Sequence, residues 1–327
     1  LVGDIVREPG ARTKYGLLFE ALGRCFELVE VHDATLRGLP RLINALQAAH
    51  PNRRTWRERY WKNVPAFRAR SQNVADHIRQ LKKRADVVLQ VGALFDAKWG
   101  QGAPPSVISS DYTAHLSAQR PTAGRSPFSE AERREWIALE RQALHRASRI
   151  CARSRIVCDS LVIDYGLSPK RVSVVGGGVN FAALPELNGQ GHDGGPTVLF
   201  IGKELYRKGG DVLLQAFAQV RTHVPEARLI LVTADPIPRG LPLEGVEVAA
   251  SMWDRAAIDN LYRRADLFCL PSRLETWGDV ILEAMAYGLP CIGVAGQPME
   301  EIIEHEATGL VVPPNDVESL AAAMMRL

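Results

Sequence analysis

Residues 270–290 run Leu270-Pro-Ser-Arg-Leu-Glu-Thr-Trp-Gly-Asp-Val-Ile-Leu-Glu-Ala-Met-Ala-Tyr-Gly-Leu-Pro290. The apolar run Asp266-Leu-Phe-Cys-Leu270 before it predicts a short buried strand, which Pro271 and Ser272 end. A polar turn follows. Gly278 then opens a helix that must stop by Gly288 and Pro290. Glu275 lies in the turn and Glu283 inside the helix, beside the apolar stripe Val280, Ile281, Ala284 and Met285. A carboxylate bordering a packed face needs a partner, either a protein donor or a ligand hydroxyl. Strand, turn and helix N-terminus together form a ready site for a phosphate-bearing ligand.

Outward from this unit, strands and helices alternate. In the second half, strands are predicted at Thr197–Ile201, Arg228–Val232, Gly245–Ala249, Leu267–Leu270, Cys291–Val294 and Gly309–Val312, with helices between them. The alternation implies a parallel sheet covered on both faces. The first half has the same grammar: strands at Leu1–Val6, Phe26–Val31, Asp86–Val91, Ser106–Ser110, within Arg149–Cys158, and at Val172–Val175. The stretch 7–14 is expected to be a loop, and Tyr15–Arg24 a helix. Ser129 is the expected N-cap of a long helix over 130–147. The Gly- and Pro-rich stretch 179–196 is taken as a linker, giving an N-terminal domain over 1–178 and a C-terminal domain over 197–327.

Composition is that of a globular protein, with 46% hydrophobic and 24% charged residues, and no apolar run is long enough to span a bilayer. The five cysteines are scattered, with no zinc-type spacing, which fits buried free thiols in a reducing cytoplasm. The chain starts inside an expected strand and stops inside a helix. Charge divides unevenly: residues 1–180 carry 29 Lys+Arg against 17 Asp+Glu, residues 181–327 only 11 against 20. Much of the excess lies in 53–84, where eleven Arg and Lys are interleaved with Trp56, Tyr60, Trp61 and Phe67. One reading is a solvated helical face with aromatic anchors. The other is a surface for anionic lipid headgroups or an anionic acceptor, placing the protein peripherally at an inner membrane face. No nucleic-acid motif accompanies the charge.

The second half resembles the donor domain of retaining glycosyltransferase family 4 (glycosyl transferases group 1). The matching residues are Phe200-Ile-Gly-Lys203 with Lys208-Gly209, then Pro271-Ser272, Glu275, Gly278, Leu282-Glu-Ala-Met-Ala286, Gly288 and Pro290, and finally Glu301-Ile-Ile and Thr308-Gly-Leu-Val-Val-Pro313. The likeness is dense over 197–327, loose over 130–185, and mainly one of strand–helix pattern over 1–128. It implies the GT-B fold, two Rossmann-like doubly wound parallel-sheet domains facing a cleft, with the N-terminal one on the acceptor side. A final helix that crosses back onto the first domain is expected beyond Leu327. The implied activity is a hexosyltransferase-type transfer from a nucleoside diphosphate sugar to an acceptor hydroxyl on a glycan, lipid or small molecule. Anomeric configuration would be retained, and neither a metal nor another cofactor is needed.

The resemblance also implies roles. Lys203 and Lys208 contact the diphosphate, Lys203 standing where relatives usually carry Arg. The helix N-terminus at Gly278 offers N–H groups to the same phosphates. Glu283 takes the ribose hydroxyls and Glu275 faces the transferred sugar. Trp253, with Met252, lies where relatives hold the base, with core packing as the alternative. In the first half, Gly10 in the loop 10–16 approaches donor and acceptor, with Arg12 and Lys14 adding charge. Asp111 stands in a stretch where many relatives have a His near the reacting centre. It either orients or deprotonates the acceptor hydroxyl or caps a helix, with His115 a weaker substitute. The sequence departs from the pattern at Gln297-Pro-Met-Glu-Glu301, where relatives carry a Gly-Gly-x-Pro-Glu run. That departure leaves two other readings open: a catalytically impaired sugar-nucleotide-binding or regulatory module, and a membrane-recruited scaffold.

Overall fold

The computed structural model describes residues 1–100, 102–120, 126, 128–181, 183–187 and 195–327. Parts of the expected linker, 182 and 188–194, lie outside the described residues. The chain divides into two compact units, Leu1–Gly176 and Gly177–Leu327.

In the second unit the elements are β5 (Thr197–Ile201), α8 (Gly210–His223), β6 (Arg228–Thr233), β7 (Val246–Ala250), α9 (Arg255–Arg263), β8 (Leu267–Cys269), α10 (Asp279–Ala286), β9 (Cys291–Val294), β10 (Gly309–Val312) and α11 (Val317–Arg326). The six strands form one all-parallel sheet in the order β10-β9-β8-β5-β6-β7. Strands of near-continuous apolar residues are what such a sheet demands, because both faces are covered. Leu199, Phe200, Leu231, Phe268 and Ile292 are completely or almost completely buried, packed with Leu213 and Phe217 of α8 and Ile281 of α10. The chain winds one way through β5, β6 and β7, then returns to the other side of β5 with β8. The order therefore reverses between β5 and β8, and the ends of these two strands define a crevice at the switch point.

The first unit holds α1 (Pro9–Cys25), α2 (Gly38–Gln47), α3 (Arg53–Trp61), α4 (Val64–Gln80), β1 (Val88–Val91), β2 (Ser106–Ser110), α5 (Ala114–Ala118), α6 (Glu130–Arg146), β3 (Arg149–Ala152), α7 (Arg155–Ile163) and β4 (Val172–Val174). Its parallel sheet runs β1-β2-β3-β4 in sequence order. Phe67, Ile108, Trp136, Leu144, Ile150 and Leu161 fill its core. Ser129 caps α6 in a full capping box with Glu132, as the sequence predicts.

The start of the chain differs from expectation. Neither Leu1–Val6 nor Phe26–Val31 forms a strand. Backbone groups there are taken by local partners: the Gly3 N–H donates to Asp33 Oδ1 (2.9 Å) and Thr35 Oγ1 (3.2 Å), and Ala34 N–H to the Leu1 carbonyl (2.8 Å). Asp and Thr side chains compete in this way with a ladder. The expected loop over 7–14 is helical from Pro9, whose fixed φ suits a first helical turn. α7 starts at Arg155, because Ser154 caps it through the Val157 N–H (3.2 Å). The cysteines are free. Cys269 and Cys291 are buried as expected, whereas Cys25 is exposed at the end of α1. Among the described residues no helix is long and apolar enough to cross a membrane.

One buried carboxyl in this unit sets a measurable property. Glu140 of α6 accepts from the Tyr165 hydroxyl and from the Ala114 N–H (2.8 Å). Burial pushes its pKa up to about 7, against the partial relief of those two donors. Ionising Glu140 thus costs the folded state nothing below its ordinary value near 4.5. The cost grows as pH rises to 7 and is complete above that, amounting to about 3 kcal/mol at ~1.4 kcal/mol per pKa unit. In Glu140→Gln this loss is absent. The melting temperature of the variant minus that of the parent should climb between pH 5 and pH 8. A flat difference in thermal melts would contradict the assignment.

Candidate functional site

Two loops leave the C-terminal ends of β5 and β8 and meet at the switch point. The first, Gly202–Gly209, folds as a tight turn in which Lys208 N–H donates to the Glu204 carbonyl (2.9 Å) and Gly210 N–H to that of Leu205 (2.8 Å). Gly209 closes it at φ 73°, a left-handed conformation that favours glycine, and a Cβ there would sit 1.9 Å from the Pro271 carbonyl oxygen. This close approach seats the first loop on the second. The second loop, 270–278, ends at Gly278 (φ 109°), the N-cap of α10. Helices α8 and α10 both begin with a left-handed glycine and no side-chain cap.

The loops are joined chiefly by charge. Lys208 Nζ donates to Glu275 Oε2, and both side chains are nearly buried, 12% and 7% exposed. Arg207, 5% exposed, donates to the Leu274 carbonyl (2.8 Å) and pairs with Glu204 (3.1 Å), while its own carbonyl accepts from Arg273 N–H (2.9 Å). Arg273 in turn makes a two-pronged pair with Asp211 in the first turn of α8 (2.6 and 2.8 Å). The Glu275 carboxylate also meets Ser272 Oγ (3.4 Å) and the Thr276 N–H (3.0 Å). Burial alone would raise its pKa. The Lys208 ammonium and the Arg207 guanidinium outweigh that and hold it at about 2. Glu275 is therefore an anion at neutral pH. It can accept a hydroxyl or face a developing positive charge, and it has no proton to donate.

Glu283 lies one helical face away. Its Oε2 accepts from the Tyr262 hydroxyl (3.1 Å) and its Oε1 from Arg255 (3.4 Å). Burial raises its pKa, with Arg255 opposing. The partner that its position demands is thus supplied by the protein, and the remaining carboxylate lone pairs keep capacity for further hydroxyl donors. Lys203 is exposed, and its ammonium stands 3.4 Å over the Trp253 ring, itself half exposed. A cation–π contact places both at the surface and sets aside the core-packing alternative for Trp253.

Gly10 and Asp111 belong to the other unit. Gly10 lies in the first turn of α1, which corrects the loop expected over 10–16. Asp111 pairs with Lys14 of α1 (3.1 Å), and this carboxylate holds the Lys14 ammonium well above its ordinary pKa. It does not cap the next helix. Thr113 does, accepting from Leu116 N–H (3.2 Å). His115 Nε2 lies 3.4 Å from Asp164. Glu30, His32 and His77 also come together in this unit. The two imidazoles stack at 3.9 Å and 20°, so their in-plane lone pairs run side by side and do not converge on an ion. A recess lined by Thr197, Arg228, Glu247 and Arg264 lies at the opposite, N-terminal ends of β5, β6 and β7.

Two residues of the site were not singled out as functional from sequence. Arg207 was hidden beside Lys208, and only its burial reveals it. Gln297 was noted as a departure from pattern. Its Oε1 accepts from the Glu275 N–H (2.9 Å) and its Nε2 donates to the Arg273 carbonyl (3.3 Å). The side chain is buried, 3% exposed, and splints the acidic loop where relatives were expected to carry glycine. The departure orders this loop instead of dismantling it.

A parallel α/β unit with paired lysine and glutamate loops at its switch point, preceded by a second parallel α/β unit, is the GT-B architecture. Residues 195–327 match the family model described as glycosyl transferases group 1, and the C-terminal unit belongs to that family. Among curated proteins, the D-inositol 3-phosphate glycosyltransferase of Salinispora arenicola is 27% identical, over 80% of this chain and 63% of its own length. That of Saccharomonospora viridis is 29% identical, over 73% and 59%. The chain thus spans about three fifths of the length of these relatives. Solved structures of similar fold include sucrose-phosphate synthase from Thermosynechococcus elongatus, with TM-score 0.60 and 21% identity, covering 80% of this chain and 68% of that one. Another is Anabaena HepE in complex with UDP-glucose, with TM-score 0.57 and 18% identity, covering 89% and 86%.

The buried pair makes a stability prediction. Removing the ammonium in Lys208→Met leaves the buried carboxylate without its bonded cation, at a cost of about 3 kcal/mol at pH 7.5. In the parent, the depressed pKa keeps Glu275's contribution intact above about 4.5, with loss only as pH falls toward 2. In the variant the carboxyl takes up a proton at higher pH. The stability gap in urea unfolding should therefore narrow between pH 7.5 and pH 5. A gap independent of pH would show that the pair is not what holds Glu275 ionised.

Proposed function

We propose that this protein is a retaining, metal-independent glycosyltransferase of family 4 that moves a sugar from a nucleoside diphosphate sugar to an acceptor hydroxyl. The observation that carries this reading is the buried Lys208–Glu275 pair at the switch point of a group 1 glycosyltransferase unit. Lys208 places a fixed positive charge where a diphosphate leaving group develops negative charge, and a preorganised, water-poor site makes such a charge effective. The α10 N-terminus at Gly278 adds its dipole to the same end. Glu275, held ionised, stabilises positive charge on the sugar ring and orients a ring hydroxyl. Glu283 accepts the ribose hydroxyls, and Trp253 with Lys203 flanks the base and phosphates. Asp111, paired with Lys14, is the acceptor-side candidate in the N-terminal unit.

The acceptor is a glycan, a lipid or a small molecule. The curated relatives are named for an inositol phosphate acceptor, and one structural neighbour is described with UDP-glucose, so both are the first probes to use. Free thiols suit a cytoplasmic setting. A lipid acceptor would bring the enzyme to an anionic membrane surface through the basic helices of 53–84.

The test is a screen of UDP-, GDP- and ADP-sugars by thermal shift and by release of the nucleoside diphosphate. A productive donor should raise the melting temperature and turn over, and the product should keep the donor's anomeric configuration by NMR. Glu275→Gln should lower turnover by about 10²–10³-fold while the shift produced by the free nucleoside diphosphate persists. Turnover unchanged by that substitution would sink the assignment.

A further inference from the structure

Helix α2 is inside out. Its four large aliphatic residues, Leu39, Leu42, Ile43 and Leu46, recur at the spacing of a single helical face. That face is in solvent, at 68%, 61%, 46% and 77% exposure. The buried residue on the helix is instead polar: Asn44, whose Nδ2 donates to the Tyr60 carbonyl (2.9 Å) and whose Oδ1 accepts from Asn63 (2.7 Å). A helix held by an amide and showing its leucines to water has the wrong side out for a free protein surface.

The same surface is basic. From Arg41 to Arg57 the chain holds four arginines and no Asp or Glu. Arg41, Arg53 and Arg57 are exposed. Trp56 of α3 donates from Nε1 to the Ala45 carbonyl of α2 (3.0 Å) and keeps about a third of its surface in water, so the two helices form one platform. Further along, the charge expected for 53–84 is partly consumed: Arg59 pairs with Glu132, Lys62 with Glu58, Arg79 with Asp76 and Lys83 with Glu27, and Arg70 is buried.

We infer that α2 and the start of α3 form a monotopic docking surface for an anionic lipid bilayer, with Leu39, Leu42, Ile43 and Leu46 entering the headgroup–acyl boundary and Arg53 and Arg57 meeting the phosphates. This deepens the reading of the basic helices as facing an acidic surface, and it moves the anchor to a helix outside 53–84. An apolar helical face beside a second helix with exposed arginines is what interfacial docking requires. A second copy of the chain fits less well. A two-fold contact through this stripe would bring the arginines of both copies together, and a stripe two turns long is narrow for a stable dimer.

Vesicle flotation of the full chain tests the surface. The parent should float with phosphatidylcholine vesicles containing 30% phosphatidylglycerol, and not with phosphatidylcholine alone. Binding should weaken but persist at 0.5 M NaCl, because part of it is apolar. Leu42→Ser/Leu46→Ser should lower partitioning at least tenfold with an unchanged melting temperature, both side chains being exposed. Arg53→Glu/Arg57→Glu should remove the salt-sensitive part. Three results would overturn the inference: no flotation of the parent, flotation of the serine variant equal to the parent, or a parent dimer in light scattering that the serine variant converts to monomer. Donor turnover with a soluble acceptor should be the same in the serine variant, so failure of the transferase reading and failure of the docking surface are told apart.

Discussion

The C-terminal unit depends on keeping an ammonium and a carboxylate out of water together. Lys208 and Glu275 lie on loops 67 residues apart in sequence, and burying either charge without the other is costly. The surrounding structure serves the pair. Gly209 lets the first loop touch the Pro271 carbonyl, Arg207 ties the loops through Leu274, and Arg273 fastens the second loop to the start of α8 through Asp211. Replacing a buried ion pair by apolar residues of similar volume is often neutral or stabilising, so stability alone does not account for the charges. On the proposed function, a fixed cation and a fixed anion at the sheet's switch point serve a ligand carrying both phosphate and sugar.

Topology supplies the rest. A parallel sheet whose strand order reverses leaves a crevice that no connection covers, and that crevice lies between β5 and β8. The two loops that reach it are the ones carrying the spaced lysines and Glu275, with Glu283 in the helix that follows. Helices α8 and α10 follow immediately, and their first turns lie next to the pair. Site and fold are thus specified by the same short segments.

This is why the second half was so legible. Its strands are buried runs such as Thr197-Val-Leu-Phe-Ile201, its turns are marked by Gly and Pro, and its charged residues fall at strand ends. The start of the chain was not legible for the opposite reason. Phe26–Val31 has strand-like composition, yet composition does not say whether a neighbouring strand is there to pair with, and Asp33 and Thr35 offer the backbone nearer partners. Side-chain orientation was likewise invisible. The stripe of α2 has a regular helical period, but periodicity gives the face and not the side on which it is buried. Arg207 and Gln297 were missed because their roles depend on burial and on contacts between loops, neither of which local sequence encodes.

Gln297 shows how a departure from pattern can order a loop by other means. A glycine run keeps a loop close to its ligand through bare backbone. A buried glutamine instead spends its acceptor on the Glu275 N–H and its donor on the Arg273 carbonyl, so backbone on both sides of Leu274 is held by one amide. The acid's own oxygens are held by Lys208 and Ser272 on one side and by the Thr276 N–H on the other. A carboxylate restrained at its backbone and at both oxygens, and ionised down to about pH 2, cannot shuttle protons near neutrality. Its contribution to any reaction in this crevice is therefore electrostatic and geometric, and the proton of an incoming hydroxyl must leave by a group other than Glu275.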